Sequence, residues 1–149
     1  MSWNLSIVVA IGVAGMSVLP SASAAGWSIT DLGALPGGTW STAWGINNSG
    51  QVVGESNFHA FIWEPGAGMT DLGAGIWSSA NAINDKGLVV GNRSDGIGPR
   101  AFYWSSSTGI MDLPAGTASY GRGVNSNGTI VGDGDTKAFI YDSIGGVSS

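Results

Sequence analysis

The sequence predicts an all-β domain made of three repeats of about 40 residues, each carrying four short strands. Three observations predict it. The motif Ile46-Asn47-Asn48-Ser49-Gly50-Gln51-Val52-Val53-Gly54 returns as Ile83-Asn84-Asp85-Lys86-Gly87-Leu88-Val89-Val90-Gly91 and as Val124-Asn125-Ser126-Asn127-Gly128-Thr129-Ile130-Val131-Gly132. Two further signatures travel with it in fixed order. One reads Ala60-Phe61-Ile62-Trp63, Ala101-Phe102-Tyr103-Trp104 and Ala138-Phe139-Ile140-Tyr141. The other reads Ile29-Thr30-Asp31-Leu32-Gly33, Met69-Thr70-Asp71-Leu72-Gly73 and Ile110-Met111-Asp112-Leu113-Pro114. Beyond residue 25, no segment holds apolar residues at a helical period.

The first element is read as an export signal, residues 1–24. Residues 5–19 form an apolar run, Pro20 breaks it, and Ala22-Ser23-Ala24 supplies the small residues a signal peptidase accepts. A spanning helix needs about 20 apolar residues, so no membrane span is expected to remain after cleavage. The start, Met1-Ser2-Trp3-Asn4, departs from the usual pattern in lacking Lys and Arg. The expected mature chain, residues 25–149, is a single extracellular or periplasmic domain with repeats at about 27–68, 69–109 and 110–149.

Within the first repeat, strands are expected at 43–47, 51–56, 60–63 and 69–72. Val, Ile, Phe and Trp fill these stretches, and Gly, Asn, Ser and Pro punctuate them. The chain is expected to open with a strand of the fourth type at 27–33. It is expected to stop after one of the third type at 138–141, without the last repeat's fourth strand.

Asn-x-x-Gly between two strands fits a turn closed by a residue of positive φ. Gly adopts that geometry without a Cβ clash, so Gly50, Gly87 and Gly128 are expected at φ > 0. The Asn side chain accepts from turn amides and pins the corner. Simple alternation puts Ala43, Gly45 and Asn47 on one small face, with equivalents in the other copies, as if a neighbouring sheet packs close. The third strand sets Phe61 and Trp63, and then Phe102 and Trp104, on a bulky face. Burying one such aromatic contributes about 1.5–3 kcal/mol. Fixing one residue's backbone costs about 1–2 kcal/mol. A lone repeat therefore falls short, and the copies must pack on one another.

The order Asp-Leu-Gly, Ile-Asn-x-x-Gly-x-Val-Val-Gly, His-Ala-Phe-x-Trp resembles the HAF-repeat family of probable extracellular bacterial proteins. The first copy holds the triplet His59-Ala60-Phe61; Arg100 and Lys137 replace the His in the others. The resemblance covers residues 27–142 and implies an extracellular or periplasmic repeat protein of β-propeller-like build, with no known reaction attached. Propellers use about 4–8 four-stranded blades, so three copies suggest a partial propeller or one completed by a second chain, a homodimer. The alternative with the right count is a threefold fold, a β-trefoil or a β-prism.

Composition narrows function. The 149 residues include 26 glycines, no cysteine and one histidine, and the net charge is −5. Only 10% of residues are charged, and no basic cluster exists to neutralise phosphates, so nucleic acid is not an expected partner. Without cysteine there are no disulfides and no thiolate metal sites. No cofactor or metal is expected. Asp133-Gly134-Asp135 reads as an acidic turn rather than a calcium loop, which wants six to eight oxygens. Asp31, Asp71 and Asp112 are expected to accept backbone N–H bonds at strand ends.

The connections between second and third strands differ in every copy. They hold the candidate binding residues Glu55, His59, Arg93, Asp95, Arg100, Asp133, Asp135 and Lys137. In a propeller these would share one rim, where repeat proteins bind. His59, as a general base, would need an orienting carboxylate and a nucleophile. Its replacement by Arg and Lys fits a basic edge residue instead. Trp40, Trp44 and Trp77 flank the first strands; they are expected to be buried between blades, whereas exposed they would suit sugar rings. The reading is a secreted, non-enzymatic repeat protein offering an interaction surface to a polysaccharide or a protein partner. A carbohydrate-binding, lectin-like module and a fragment of a propeller-type hydrolase are the alternatives.

Overall fold

The computed structural model describes residue 26, residues 28–94 and 96–142, and the backbone of residues 146–148. The expected export signal, residues 1–24, and the candidate site residue Asp95 lie outside the described residues. The chain divides into two compact units, Met1–Asp31 and Leu32–Ser149. The described residues of the first form no strand, and no described residue of either unit is helical.

The second unit is all β. Its strands are β1 (Ser41–Ile46), β2 (Val52–Ser56), β3 (His59–Glu64), β4 (Gly68–Asp71), β5 (Ser78–Ile83), β6 (Val89–Ser94), β7 (Pro99–Ser105), β8 (Gly109–Asp112), β9 (Ser119–Val124), β10 (Ile130–Gly134), β11 (Lys137–Asp142) and β12 (Gly146–Ser148). They form three antiparallel sheets, each in chain order: β1-β2-β3-β4, β5-β6-β7-β8, and β9-β10-β11 extended by the short β12.

The two ends of the array differ from the sequence expectation. Residues 28–33 form no strand. Leu32 and Leu35 instead pack on Val52 and Phe61 of the first sheet. The last sheet does gain a fourth strand: β12 pairs Ile140 with Ser148 and Asp142 with Gly146. It lacks the Asp-Leu-Gly signature, so nothing in the motif announced it.

The corners form as expected. Gly50, Gly87 and Gly128 have φ of 76°, 76° and 95°. Asn47 Oδ1 accepts from the Ser49 and Gln51 amides at 3.1 and 3.0 Å, and Asn84 and Asn125 repeat the arrangement.

The first strand of each sheet is not regular. Ala43 pairs with Gly54 and Gly45 with Val53, leaving Trp44 as an extra residue; Asn81 and Arg122 are its equivalents. These bulges overturn the simple alternation. One extra residue reverses the facing of the residues after it, so Ala43 and Gly45 lie on opposite faces. Both faces of the strand are therefore small. Ala80 packs toward the first sheet, within the cluster of Val53, Ile62 and Phe102. Ala82 packs toward the third, beside Leu113 and Phe139. A Cβ at Gly45 would sit 3.2 Å from the Ala82 Cα. The bulge also explains the last glycine of the motif. A Cβ at Gly54, Gly91 or Gly132 would run into the carbonyl oxygen of Thr42, Ser79 or Tyr120.

The sheets stack in order. β5 lies on β1–β3, and β9 lies on β5–β7. One face of the second and third sheets, carrying Phe102 or Phe139, looks toward the preceding sheet, and Phe61 on the same side of the first sheet packs with Leu35 and Val52. The opposite face, carrying Val53 or Val90, looks toward the next. Hydrogen bonds repeat across both junctions. Ser78 Oγ accepts the Ala60 amide at 2.9 Å, and Ser119 Oγ accepts the Ala101 amide at 3.0 Å. Asn47 Nδ2 donates to the Asn84 carbonyl at 3.1 Å, and Asn84 Nδ2 donates to the Asn125 carbonyl at 2.9 Å. The corner asparagines thus form a ladder that runs from sheet to sheet.

Candidate functional site

The connections after β2, β6 and β10 come out at the end opposite the corners. The first and third are two-residue turns, Asn57-Phe58 and Asp135-Thr136. Asn57 and Phe58 turn the chain with φ of 47° and 67°. Both residues at positive φ make the mirror-image two-residue turn that matches strand twist. Asn tolerates that conformation; Phe does so at a cost and is held there by its neighbours.

Backbone bonds join these hairpins to the linkers beside them. The Ser78 amide donates to the Phe58 carbonyl at 3.0 Å, and the Ser94 amide donates to the Trp77 carbonyl at 3.1 Å. The Asp135 amide donates to the Ala118 carbonyl at 2.7 Å. Linkers 72–77 and 113–118 thereby lie between successive hairpins, and the whole makes one rim.

Three of the candidate charges, His59, Arg93 and Asp133, are paired within their own sheets. His59 Nδ1 lies 2.9 Å from Asp71 Oδ2. Arg93 meets Asp112 through Nε and Nη2 at 2.7 and 2.8 Å, a bidentate pair. Asp133 meets Arg122, whose guanidinium also lies 4.7 Å from the Tyr120 ring centroid. Asp135 accepts from Thr117 Oγ1 and the Ala118 amide at 3.2 Å each. Glu55 stands at the position of Asp133, but the bulge residue of its sheet is Trp44 rather than an arginine. Burial pushes its carboxyl up from the ordinary range. Lys137 begins β11 and Arg100 is the second residue of β7, both beside these turns.

The expectation for the repeated aspartates holds for Asp71, whose Oδ1 accepts the Gly73 amide at 2.7 Å. Asp112 is held differently, by Arg93. For His59, Asp71 supplies the orienting carboxylate that a base needs. Among the described residues no hydroxyl meets its Nε2. The near serine, Ser56, is fully buried, donates to the Trp40 carbonyl and accepts the Leu35 amide.

The tryptophans correct the sequence expectation. Trp40, Trp44 and Trp77 are 37%, 58% and 62% exposed rather than buried. The inter-sheet space is filled instead by Val, Ile and Phe from second and third strands, and the first strands come too close together to admit an indole. Trp40 and Trp77 lie on the rim and clasp Phe58 between them. Trp40 meets it edge-on at 5.3 Å, and Trp77 tilts against it at 4.4 Å. Phe58 is itself 42% exposed, and Ile76 beside Trp77 is also exposed.

Phe58 is the functional candidate that charge counting passes over. The available signal was an aromatic residue in a two-residue turn, where Gly is the usual occupant. Next to the trio is a concavity of about 250 Å³ lined by Leu35, Pro36, Asn57, His59 and Asp71. A second, of about 340 Å³, lies at the third hairpin between Pro114, Asp135 and Lys137.

Groups of three or more His, Asp or Glu able to hold a metal are absent among the described residues. Comparison of the chain with family models, curated proteins and solved structures returns no match.

Proposed function

We propose that the chain is an exported, non-enzymatic β-repeat protein of propeller-like build that offers its hairpin rim as an interaction surface. The observation that carries this is the trio Trp40, Phe58 and Trp77. Three large aromatics pack on one another in the open, beside a concavity and away from the core. Contiguous exposed apolar surface rimmed by polar groups marks a binding site rather than a packing defect. The propeller-like build is supported by the chain-order sheets and by the way each first strand lies on the sheet before it. A trefoil or prism would close the first sheet on the third, whereas Ile46 and Val131 on their outer faces are 69% and 46% exposed. The export reading rests on residues 1–24.

A carbohydrate is the ligand class that the trio favours. Aromatic rings cover the apolar faces of sugars, while Asn57, His59 and Asp71 supply donors and acceptors to hydroxyls at the edge. The test is retention of the purified protein on a panel of polysaccharides. Trp77→Ala is expected to lower affinity about tenfold, equivalent to ~1.4 kcal/mol, with the fold intact. A protein retained on none of them, or equally with and without Trp77, would remove the carbohydrate reading.

The hydrolase alternative needs two rim carboxylates free to act as acid and base. Asp71, Asp112 and Asp133 are instead each held by a basic side chain. Release of reducing ends from a polysaccharide by the same preparation would reinstate it.

A further inference from the structure

We infer that the outer face of the third sheet docks on the outer face of the first sheet of a second copy of the chain, head to tail.

The two faces are the unmatched ends of a junction that the molecule already makes twice. On the side of each sheet that looks to the next, Val53 and Val90 are fully buried; their equivalent Val131 is 46% exposed. Ile62 is 5% exposed and its equivalent Ile140 is 45% exposed. Ala60 and Ala101 are buried, and Ala138 is exposed. The side that looks to the preceding sheet shows the mirror of this at the other end. Ile83 is 8% exposed, and its first-sheet equivalent Ile46 is 69% exposed. Ala80 is buried and Ala43 is exposed. Ile46 and Ala43 at one end, and Val131, Ile140 and Ala138 at the other, are bare where their equivalents in the middle of the stack are buried, while Val52 and Phe61 of the first sheet are covered by Leu32 and Leu35. A solvent-facing sheet side would carry polar residues at these positions, as antiparallel sheets with one wet face do.

The polar groups of the junction are unmatched in the same complementary way. Asn47 and Asn84 each donate Nδ2 to the carbonyl of the next corner. Asn125 Nδ2 has no acceptor among the described residues, although its Oδ1 is used normally. At the other end the Asn47 carbonyl takes, among the described residues, only the Gly50 amide, where the Asn84 carbonyl takes both the Gly87 amide and the Asn47 side chain. Ser78 and Ser119 accept the amides of Ala60 and Ala101, while no hydroxyl meets the amide of Ala138 among the described residues. Ser41 holds the place of Ser78 on the first sheet. A second copy set one step further along the stack supplies the Asn47 carbonyl to Asn125 and Ser41 to Ala138.

The occupant is a second copy because the exposed faces complement each other, not themselves. Such a contact is heterologous: it closes a ring if the rotation per sheet allows and otherwise extends a filament. Two copies give six sheets, within the propeller range of about 4–8 blades. The inference is independent of what the rim binds.

The test uses the full chain, expressed and purified as the cell delivers it. Mass is measured by sedimentation over a wide range of concentration for the wild type, Val131→Asp and Ile46→Asp. The wild type is expected at twice the single-chain mass or more, and each variant at the single-chain mass with an unchanged circular dichroism spectrum. Mixing the two variants is expected to restore a one-to-one pair, because each retains the face that the other lacks. Should Val131→Asp disturb the fold, Ile140→Lys reads the same face. A wild type that stays at single-chain mass throughout would overturn the inference. So would an Ile46→Asp variant that associates as the wild type does, since the third-sheet face would then be pairing with something other than the first.

Discussion

The two ends of each sheet obey different rules. At the corner end, all three copies write Asn-x-x-Gly, and all three fold it the same way, with Gly at positive φ and Asn Oδ1 on two amides. At the hairpin end no two copies agree. The first is a tight Asn57-Phe58 turn, the second spreads from Arg93 to Arg100, and the third turns on Asp135. The corner end is tied into the neighbouring sheet by the asparagine ladder. The hairpin end is tied by backbone bonds and by the Ser78 and Ser119 hydroxyls of the first strands, which leaves the side chains of the turns themselves at liberty to vary. Uniformity therefore goes with structural duty and variety with surface chemistry.

Substitutions sharpen that contrast, and the largest effect belongs to the second glycine of the motif. Gly91 lies in the middle sheet, where a Cβ would strike the Ser79 carbonyl and lie 3.0 Å from the Phe102 ring. Gly91→Ala is expected to cost about 3 kcal/mol, read as a fall in the denaturant midpoint.

Next comes the ladder. Asn84→Ala removes two turn bonds and one bond to the next sheet, and is expected to cost about 2 kcal/mol. In the single chain, as Val131→Asp is expected to leave it, Asn125→Ala removes only the turn bonds and should cost about half as much, ~1 kcal/mol. Equal losses would mean that the inter-sheet bond contributes nothing.

Gly87→Ala tests backbone geometry alone, since space around the site is open and φ is 76°. About 1 kcal/mol is expected. At the other end of the same sheet, Arg93→Ala removes an exposed ion pair and should cost about 0.5 kcal/mol. A rim variant that destabilised more than a corner variant would break the division between the two ends.

The smallest effect is a pH dependence at the corners. Asn48 donates its backbone amide and its side chain to Asp85 across the first junction, and these bonds hold the Asp85 carboxyl below its ordinary value. A lowered native pKa means that the unfolded chain binds the proton first. The contribution is present at neutral pH and fades as pH falls through and below the ordinary aspartate range. Asp85→Asn should flatten the acid limb of the stability profile slightly, as a small loss at neutral pH that disappears in acid. Glu55 works in the opposite sense, because burial raises its pKa. Glu55→Gln is expected to give a small gain at neutral pH that disappears in acid.

Much of this was legible in the sequence because repetition triples each signal. Strand positions, the glycine turns and the asparagine pins follow from local geometry that each copy states anew. The first-strand bulge was not legible. Trp44, Asn81 and Arg122 share a place but no chemistry, and only the clash at Gly54, Gly91 and Gly132 reveals why the chain needs an extra residue there. The exposure of Trp40, Trp44 and Trp77 was missed for a related reason. Tryptophan is apolar enough to suit a core, and only the close approach of neighbouring first strands denies it room. The candidate site was half visible: the varied hairpins were evident, but attention to charge led to residues that neutralise one another, while Phe58 completed the aromatic trio from within a turn.

The asparagine ladder has a consequence for how such a protein grows. The middle corner, Asn84, both gives a bond forward and takes one from behind, and Asn47 and Asn125 use the same two halves singly, so the two junctions are interchangeable. Duplication of one unit within the gene would insert a sheet whose bonds are already satisfied on both sides, without any compensating change elsewhere. Array length is then set by history and by demand for surface, not by the chemistry of the seams, and each added unit brings one more hairpin free to diverge.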